Sequence, residues 1–516
     1  MDIIFDKYLE TTGRIDPIKC VGRVIRIQGL LIESRGPAAI IGEICRIDAP
    51  KGRGLIQAEV VGLHDEIVQL MAFEETDGIE IGNRVIAAGT RLEVPVSRKL
   101  LGRVLGPLGD PIDGKGEIES PVLYPAITEP PDPLKRKRVT QRITTGVRAI
   151  DGLLAIGKGQ RMGIFAGSGV GKSTLLGMIA RNTSADVNVV ALIGERGKEV
   201  NDFIERDLGK EGLARSVIVV TPGNSSAMAR MRGAYTATAI AEFFRDQGLD
   251  VMLMFDSVTR FAWAQREIGV SAREPVATRG YPPSMADSMQ KLLERAGNAE
   301  RGSITGFYTV LVEGDDMDEP VSDTARAILD GHIVLSRKLA EAFHYPSIDV
   351  LQSISRCASE VAGAESKKAA GVLRRNMAVY ANSEELINVG AYHAGSNPSI
   401  DAAIALHPPI EEFLIQSVEE RSSLTQTLSQ MAAISGHHIP AEEMPDKDDA
   451  ALQGAAPLTA KSAAPGSALR NQNISQGAAP GPKSPLFSLF SGAPSSGSLT
   501  SLFGNVNIID SSGGAS

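Results

Sequence analysis

The sequence predicts an α/β fold in which helices cover both faces of a parallel sheet, with a small β-domain before it and helices after it. A glycine-rich loop joins an apolar run to a stretch of helical spacing near residue 166. Further apolar runs then alternate with amphipathic stretches of helical length, as expected when helices connect the strands of one sheet. These runs are Val187–Ile193, Ser216–Val220, Val251–Phe255, Phe307–Val312 and Ile333–Leu335.

The glycine-rich loop reads Ala166-Gly-Ser-Gly-Val-Gly-Lys-Ser-Thr174. It lies between a predicted buried strand, Met162–Phe165, and a predicted helix, so backbone N–H groups and the positive helix end face an anion. Lys172 can reach the β and γ phosphates of a nucleotide, and Ser173 can hold Mg²⁺. The loop departs from the usual pattern only at its first position, where alanine replaces glycine. The candidate nucleotide-binding residues are Gly167, Ser168, Gly169, Val170, Gly171, Lys172, Ser173 and Thr174.

Composition sets broad limits on the function. The 516 residues are enough for about two to four domains, and the net charge of −9 argues against a general nucleic-acid binder. The three cysteines, Cys20, Cys45 and Cys357, show no metal-ligand spacing, which predicts free thiols in a reducing cytosol. The N-terminus does not have the pattern of a secretory signal, and no apolar run approaches the roughly 18 residues that span a bilayer. Any membrane contact is therefore predicted to be peripheral.

Composition shifts divide the chain. Short β-rich runs with Gly and Asp turns predict a small barrel or sandwich, and the alternating region that follows is the nucleotide-binding domain. The chain then looks helical, with Glu411–Ser429 rich in helix formers, before it becomes a tail of Ala, Gly, Ser and Pro that we expect to be disordered. The predicted units are residues 1–19, 20–97, 98–364, 365–440 and 441–516.

Both ends of the chain carry apolar clusters whose role the sequence leaves open. In residues 1–19 the cluster can share one face of a short helix, which either docks on a partner or packs on the chain's own barrel. In the tail, two clusters either dock weakly in a partner's groove or have no partner. The clusters are Ile3, Ile4, Phe5 and Leu9 at the N-terminus, and Leu486–Phe490 and Ser498–Phe503 in the tail.

Three charged residues follow predicted strands. Asp256 ends the run Val251–Phe255, where a carboxylate either joins the Mg²⁺ shell beside the phosphate loop or only caps the next helix. Glu195 and Arg196 emerge after Val187–Ile193, at the sheet edge where ligands bind in α/β folds. They could polarise the attacking water and contact the γ-phosphate, or they could form a solvated helix start; spacing alone leaves both open.

Several ordered motifs over residues 20–436 resemble the catalytic subunits of rotary ATP synthases and, more narrowly, the flagellar and virulence type III secretion ATPases. The resemblance implies a RecA-like core, an N-terminal β-barrel and a C-terminal helical domain. The motifs are the phosphate loop, Gly194-Glu-Arg-Gly-Lys-Glu-Val, Phe255-Asp-Ser-Val-Thr-Arg-Phe261, Ala277-Thr-Arg-Gly-Tyr-Pro-Pro-Ser284, His344-Tyr-Pro-Ser and the run ending at Arg356.

The resemblance also implies roles for single residues. Lys172 would bind phosphate, Ser173 and Asp256 would serve Mg²⁺, Glu195 would be the catalytic carboxylate, and Arg196 would touch the γ-phosphate. ATP and Mg²⁺ are thus the expected substrate and cofactor.

Two further residues are implied to complete the site. Tyr345 would stack on adenine, although it could be a core tyrosine, and Arg356 would be an arginine finger, although it could form a structural ion pair. A finger that points at a neighbouring subunit implies a homo-oligomeric ring, which the family suggests is hexameric.

The expected function is ATP hydrolysis that energises flagellar protein export at the cytoplasmic face of the inner-membrane export gate. The implied partners are a stator-like regulator bound through the N-terminus, a central coiled-coil stalk, the export gate, and export substrates with their chaperones. The alternatives are a virulence secretion ATPase, a ring helicase of the Rho type, and a non-catalytic assembly subunit, against which Glu195 argues.

Overall fold

In a computed structural model of the chain, the structure describes residues 21–51, 54–119, 121–312, 314 and 316–444. The predicted N-terminal docking segment, Cys20 and the predicted tail lie outside the described residues. The domain boundaries given above stay predictions. Cys45 and Cys357 are free thiols, as expected.

The N-terminal domain is a closed antiparallel barrel. The short β-rich runs left a barrel or a sandwich open, and the barrel implied by the resemblance is confirmed. Its strands follow the order β1-β2-β5-β4-β3-β6, and alternate side chains fill its interior. The third strand begins at Glu43, directly after Gly42, which lies in a turn with a φ of +84°. The strands are β1 (Val21–Gln28), β2 (Leu31–Arg35), β3 (Glu43–Ala49), β4 (Gly54–His64), β5 (Ile67–Ala72) and β6 (Arg84–Arg91).

The central domain is built on one sheet with the order β17-β16-β10-β15-β13-β11-β12-β8. The predicted parallel pairing is confirmed from β16 to β8, whereas β17 and the short β14 pair antiparallel to their neighbours. A separate ribbon, β7 with β9, follows the barrel. The strands are β7 (Glu93–Val96), β8 (Val104–Leu105), β9 (Val122–Pro125), β10 (Arg161–Ala166), β11 (Val187–Glu195), β12 (Ser216–Pro222), β13 (Asp250–Asp256), β14 (Gly297–Asn298), β15 (Ser303–Leu311), β16 (Gly331–Leu335) and β17 (Ile348–Ser355).

Helices cover both faces of this sheet, and its central strands are buried nearly throughout. No helix within the described residues is long and apolar enough to cross a membrane. The helices of this domain are α1 (Arg148–Leu153), α2 (Lys172–Asn182), α3 (Gly197–Asp202), the π-helix Phe203–Leu208, α4 (Gly209–Ala214), α5 (Ala227–Asp246), α6 (Val258–Ser271), α7 (Ser284–Leu293), α8 (Pro320–Ile328), α9 (Arg337–Glu341) and α10 (Ala358–Val361).

The C-terminal domain is helical, as predicted, and comprises α11 (Ala364–Asn388), α12 (Pro398–Leu414) and α13 (Leu424–Ser435). Within the stretch Glu411–Ser429, which is rich in helix formers, residues 415–423 nevertheless form an irregular segment between α12 and α13. The reason is a buried arginine: Arg148 donates to the carbonyls of Phe413 and Ile415 and pairs with Glu420. If the helix continued past α12, those two carbonyls would accept from N–H groups within the helix, and the Arg148 guanidinium would lose them as acceptors.

One buried ion pair joins the barrel to the central domain. Arg232 on α5 donates from Nε to Glu59 Oε2 on β4 at 2.6 Å, and its terminal nitrogen bonds the other carboxylate oxygen. Both side chains are almost wholly buried. Because removing one partner of such a pair leaves an uncompensated charge in the interior, the interface depends on both.

We predict that Arg232→Met destabilises the chain by about 3–5 kcal/mol, since Glu59 is left buried without a cation. Arg84→Met is the matched control: Arg84 pairs with Asp48 at 2.8 Å on the exposed barrel surface, so its loss should cost less than about 1 kcal/mol. Urea denaturation followed by circular dichroism measures both effects. Equal losses for the two variants would contradict a special role for the buried pair.

Candidate nucleotide site

The phosphate loop has the predicted backbone geometry. It leaves β10 at Ala166 and enters α2 at Lys172. Gly169 and Gly171 have φ values of +78° and +91°, in the left-handed region where glycine avoids the strain of a side chain. The loop N–H groups and the first turn of α2 therefore form an anion cradle.

Four consecutive strands bring the key side chains to the carboxyl edge of the sheet. Lys172 Nζ lies 2.6 Å from Asp256 Oδ1 at the end of β13 and 3.4 Å from Glu195 Oε1 at the end of β11. Thr309 on β15, the strand between β10 and β13, donates from Oγ1 to Asp256 Oδ1 at 2.7 Å. The structure thus brings Lys172, Glu195 and Asp256 together, and the residue that caps α6 is Ser257, whose hydroxyl accepts from the Arg260 N–H at 3.3 Å.

One cation here serves two buried carboxylates. Burial raises the pKa of Asp256 and of Glu195, although Lys172 acts in the opposite direction. Burial also opposes the charge of Lys172, but the two carboxylates outweigh it and raise the pKa of that ammonium. A further increase in the pKa of Glu195 comes from a hydrogen bond with Glu199. The site therefore holds a Lys172 that stays charged and a Glu195 whose proton affinity is higher than usual.

A bulge aims Glu195 at this cluster. The register of β11 against β12 shifts between Ile193 and Glu195, and Gly194 has a φ of +76°. A Cβ at Gly194 would also lie only 3.0 Å from the Cβ of Arg260. The positive φ and this close approach both favour glycine here. The positive charge of Arg260 lowers the pKa of Glu195, and its Nε is buried with no acceptor among the described residues.

Tyr345 lies at the mouth of the loop. Its exposure is 39%, so the alternative of a core tyrosine is wrong, and its ring would lie 3.5 Å from a Cβ placed on Gly171. The Ser347 hydroxyl donates to the Val170 carbonyl at 2.6 Å, and the Gln416 N–H donates to the Tyr345 carbonyl at 2.9 Å. The ring is therefore held beside the phosphate loop by contacts on both sides.

The structure does not bring the two predicted arginines to the cluster. Arg196 is 83% exposed at the start of α3, with its guanidinium 3.9 Å from Glu199. Arg356 is exposed just after β17, and its guanidinium donates to the carbonyl of Arg326 at 3.3 Å. No ion pair of Arg356 is seen among the described residues, so the alternative of a structural ion pair finds no support there.

Sequence analysis missed Thr309 and Arg260 as site residues. Arg260 stands within the quoted motif that begins at Phe255, four residues after Asp256, so helical spacing from that acid could have suggested it. Thr309 lies inside the apolar run Phe307–Val312, and its polar side chain in a buried strand was the available signal.

The donors present fit Mg²⁺. The Asp256 carboxylate and the Ser173 hydroxyl at the start of α2 are hard oxygen donors of the kind that Mg²⁺ prefers, and the loop supplies a place for phosphate oxygens. The hydrogen bond from the Thr309 hydroxyl fixes the orientation of the Asp256 carboxylate. These residues would hold the ion when a nucleotide is bound.

We predict that Lys172→Ala lowers the stability of the nucleotide-free protein by about 3 kcal/mol at neutral pH, because Asp256 and Glu195 lose their cation. Their folded pKa values should rise further above the unfolded values, so stability should fall as the pH rises from about 5 to 8. Lys158→Ala is the control, since Lys158 pairs with Asp250 outside the site and both side chains are only about a quarter exposed. Melting temperatures across this range test the prediction, and a deficit independent of pH would contradict it.

Comparison with known proteins follows the same division of the chain. Residues 24–89 match the β-barrel domain of the ATP synthase alpha/beta family and residues 146–355 match its nucleotide-binding domain. Residues 362–433 match the C-terminal domain of the type III secretion ATPase EscN.

Full-length relatives agree. The chain is 56% identical to the flagellum-specific ATP synthase of Treponema pallidum, over 84% of this chain and 97% of the relative. It is 48% identical to a type 3 secretion system ATPase of Xanthomonas euvesicatoria, over 80% and 93%. The assembled ATPase EscN of enteropathogenic E. coli superposes with a TM-score of 0.77 at 45% identity, covering 80% of this chain and all of EscN. The chain therefore belongs to the flagellar and type III secretion ATPases of the ATP synthase alpha/beta family.

Proposed function

We propose that this chain hydrolyses ATP as a homo-oligomeric ring and thereby energises flagellar type III protein export. The observation that carries the proposal is the phosphate loop whose Lys172 faces two buried carboxylates at the carboxyl edge of a parallel sheet. The family is one of ATPases, and identity reaches 56% with a flagellum-specific ATP synthase against 48% with a type 3 secretion system ATPase, which favours the flagellar system. Membership of this family also disfavours a Rho-like helicase.

Nucleotide binding begins with an exchange of partners at Lys172. In the structure its ammonium lies against Asp256, whereas a bound nucleotide presents phosphate oxygens to the same cation. Lys172 would then neutralise phosphoryl charge, while Asp256, released from the ammonium and still held by Thr309, would serve with Ser173 as a ligand of Mg²⁺. This ion supplies charge neutralisation at the phosphates when it is bound. Tyr345 would cover the adenine.

Glu195 is proposed to position and polarise the attacking water. Its burial and its raised pKa make it a stronger base than a solvated glutamate. The exposed Arg196 would turn from Glu199 toward the γ-phosphate when the nucleotide is bound. Both side chains leave the same end of β11, so their backbone positions already lie beside the loop.

Arg356 is proposed to act on the nucleotide of a neighbouring subunit. Because β17 runs antiparallel, its first residue lies level with the phosphate loop and its last lies at the opposite edge, where Ser355 pairs with Gly331. The two edges of β10 are separated by five residue steps, or about 16 Å. A finger at the far edge cannot reach its own loop, which supports a ring in which each site is completed by the next subunit. We propose a hexamer.

Of the partners proposed for the ring, the central stalk has support from a solved relative. EscN has been solved in complex with its central stalk EscO, and this chain superposes on that form with a TM-score of 0.75 at 44% identity. We propose a corresponding stalk here, together with a stator-like regulator, an export gate at the inner membrane, and substrates with chaperones. The site of action would be the cytoplasmic face of that gate, with peripheral membrane contact only and no nucleic acid.

We predict that Glu195→Gln binds ATP almost normally but hydrolyses it about two to four orders of magnitude more slowly, since an amide keeps the shape but cannot act as a base. Glu384→Gln is the matched control, because Glu384 on α11 pairs with Lys338 at 3.2 Å on the surface and has no contact with Lys172, Glu195 or Asp256; its turnover should change little. Steady-state hydrolysis and equilibrium nucleotide binding measure the two effects. Turnover within a few-fold of the unmodified protein would remove Glu195 from its role.

Arg356→Ala should reduce turnover by roughly 10³ to 10⁵ if the residue is a finger acting in trans. Mixing this variant with Lys172→Ala should restore part of the activity, because some interfaces then pair an intact loop with an intact finger. Arg196→Ala is the control: it is proposed to act on its own subunit's nucleotide, so mixing it with Lys172→Ala should restore nothing. Failure of the first mixture, with mixed rings demonstrated by two affinity tags, would argue against a trans finger.

A further inference from the structure

The exposed side chain of Arg356 takes its position from two backbone carbonyls. Its guanidinium donates to the carbonyl of Arg326 in the last turn of α8, at 3.3 Å, where a cation is also favoured by the helix dipole. Its own N–H donates to the carbonyl of Asp330 at 3.0 Å. The direction in which Arg356 leaves the subunit therefore depends on where the segment between α8 and β16 is held.

That segment is fixed by Arg161, the first residue of β10. Arg161 Nε and Nη2 donate to the two carboxylate oxygens of Asp330 at 3.0 and 3.1 Å, a bidentate pair. The backbone N–H of Arg161 bonds the Asp330 carboxylate at 3.0 Å, and the Asp330 N–H bonds the Arg161 carbonyl at 2.8 Å. Glu294 holds the remaining nitrogen of Arg161 at 2.8 Å. Four hydrogen bonds thus join Asp330 to the start of β10.

A buried amide completes the arrangement. Gln160 is wholly buried, and its Nε2 donates to the Asp330 carbonyl at 3.1 Å and to the Ser355 hydroxyl oxygen at 3.0 Å. Its Oε1 accepts from the Gly157 N–H at 2.9 Å, which fixes the orientation of the amide. The Gln160 side chain therefore bonds both the Asp330 carbonyl, which accepts from the N–H of Arg356, and Ser355, the residue just before Arg356.

We propose that Gln160, Arg161 and Asp330 form a brace that positions Arg356 for the nucleotide of the adjacent subunit. The inference rests on the proposed trans role of Arg356. The brace lies at the edge of the sheet away from its own phosphate loop, so it contacts the finger and not the nucleotide of its own subunit. Because displacement of a reacting group by about 1 Å can reduce a rate by about 10²-fold, a brace of charged and bidentate bonds affects turnover without touching ATP.

The first test is Asp330→Asn, which keeps the shape of the side chain but weakens its pair with Arg161. We expect kcat to fall by about 10- to 100-fold with KM for ATP unchanged, since binding at the variant's own loop is intact. Asp250→Asn is the matched control: Asp250 lies at the same edge of the sheet, is equally exposed and pairs with Lys158, but has no contact with the finger. It should leave kcat unchanged. An unchanged kcat for Asp330→Asn would overturn the inference.

The second test asks whether Asp330 affects hydrolysis of its own subunit's nucleotide or that of the adjacent subunit. In an equal mixture with Lys172→Ala, Asp330→Asn subunits supply intact loops and the other subunits supply intact fingers, so up to about a quarter of interfaces are competent if subunits mix at random. We expect activity above the sum of the separate variants. When Asp330→Asn is mixed with Arg356→Ala we expect no gain, because no subunit then has both an unmodified finger and an intact brace.

The outcomes separate the two proposals. Suppose that Arg356→Ala gains activity when mixed with Lys172→Ala but Asp330→Asn does not. Asp330 would then act on the nucleotide of its own subunit, so the brace would be wrong while the trans finger would stand. No gain in either mixture would contradict the trans finger itself. Should Asp330→Asn fail to assemble, Arg161→Lys keeps the charge but loses the bidentate geometry, and the same mixtures apply.

Discussion

The sharing of one lysine by two buried carboxylates is the interaction on which the site depends. Asp256 and Glu195 both lie in an interior that penalises their charge, and Lys172 is the cation that lies against both. In the proposed function, the phosphates of a nucleotide compete for that same ammonium. Nucleotide binding would then rearrange the pairing seen here and release the Asp256 carboxylate for its proposed role.

The sheet gives the subunit two functional edges with opposite roles. Its carboxyl edge carries the phosphate loop, and its other edge carries Arg356 because β17 reverses direction after the segment that contains Tyr345. Strand β10 spans both edges, from Arg161, which pairs with Asp330, to Ala166 at the loop. Under the proposed trans role of Arg356, one subunit carries the loop and the arginine on opposite edges and cannot bring both to one nucleotide, so the proposal requires a ring.

The segment that carries Tyr345, the residue proposed to cover the adenine, contacts two domains. Tyr345 stands in a segment that bonds the phosphate loop through Ser347 and the C-terminal domain through Gln416, while His344 lies 2.9 Å from Glu411 on α12. The irregular segment after α12 exists because Arg148 and Gln416 satisfy buried groups there. The same contacts that interrupt the helix therefore place the C-terminal domain against the nucleotide site.

The sequence alone determined what depends on neighbours along the chain. The phosphate loop, the apolar runs that lead to Glu195 and Asp256 and the β-rich character of the N-terminal domain were predictable, because glycine spacing, apolar runs and turn residues act within a few positions. Tertiary structure decided the rest: that Thr309 and Arg260 join the site, that β17 is antiparallel, and that a helix stops at Leu414 to satisfy Arg148. Each of these depends on buried polar groups finding partners far away in sequence, and no local pattern specifies which partners will meet.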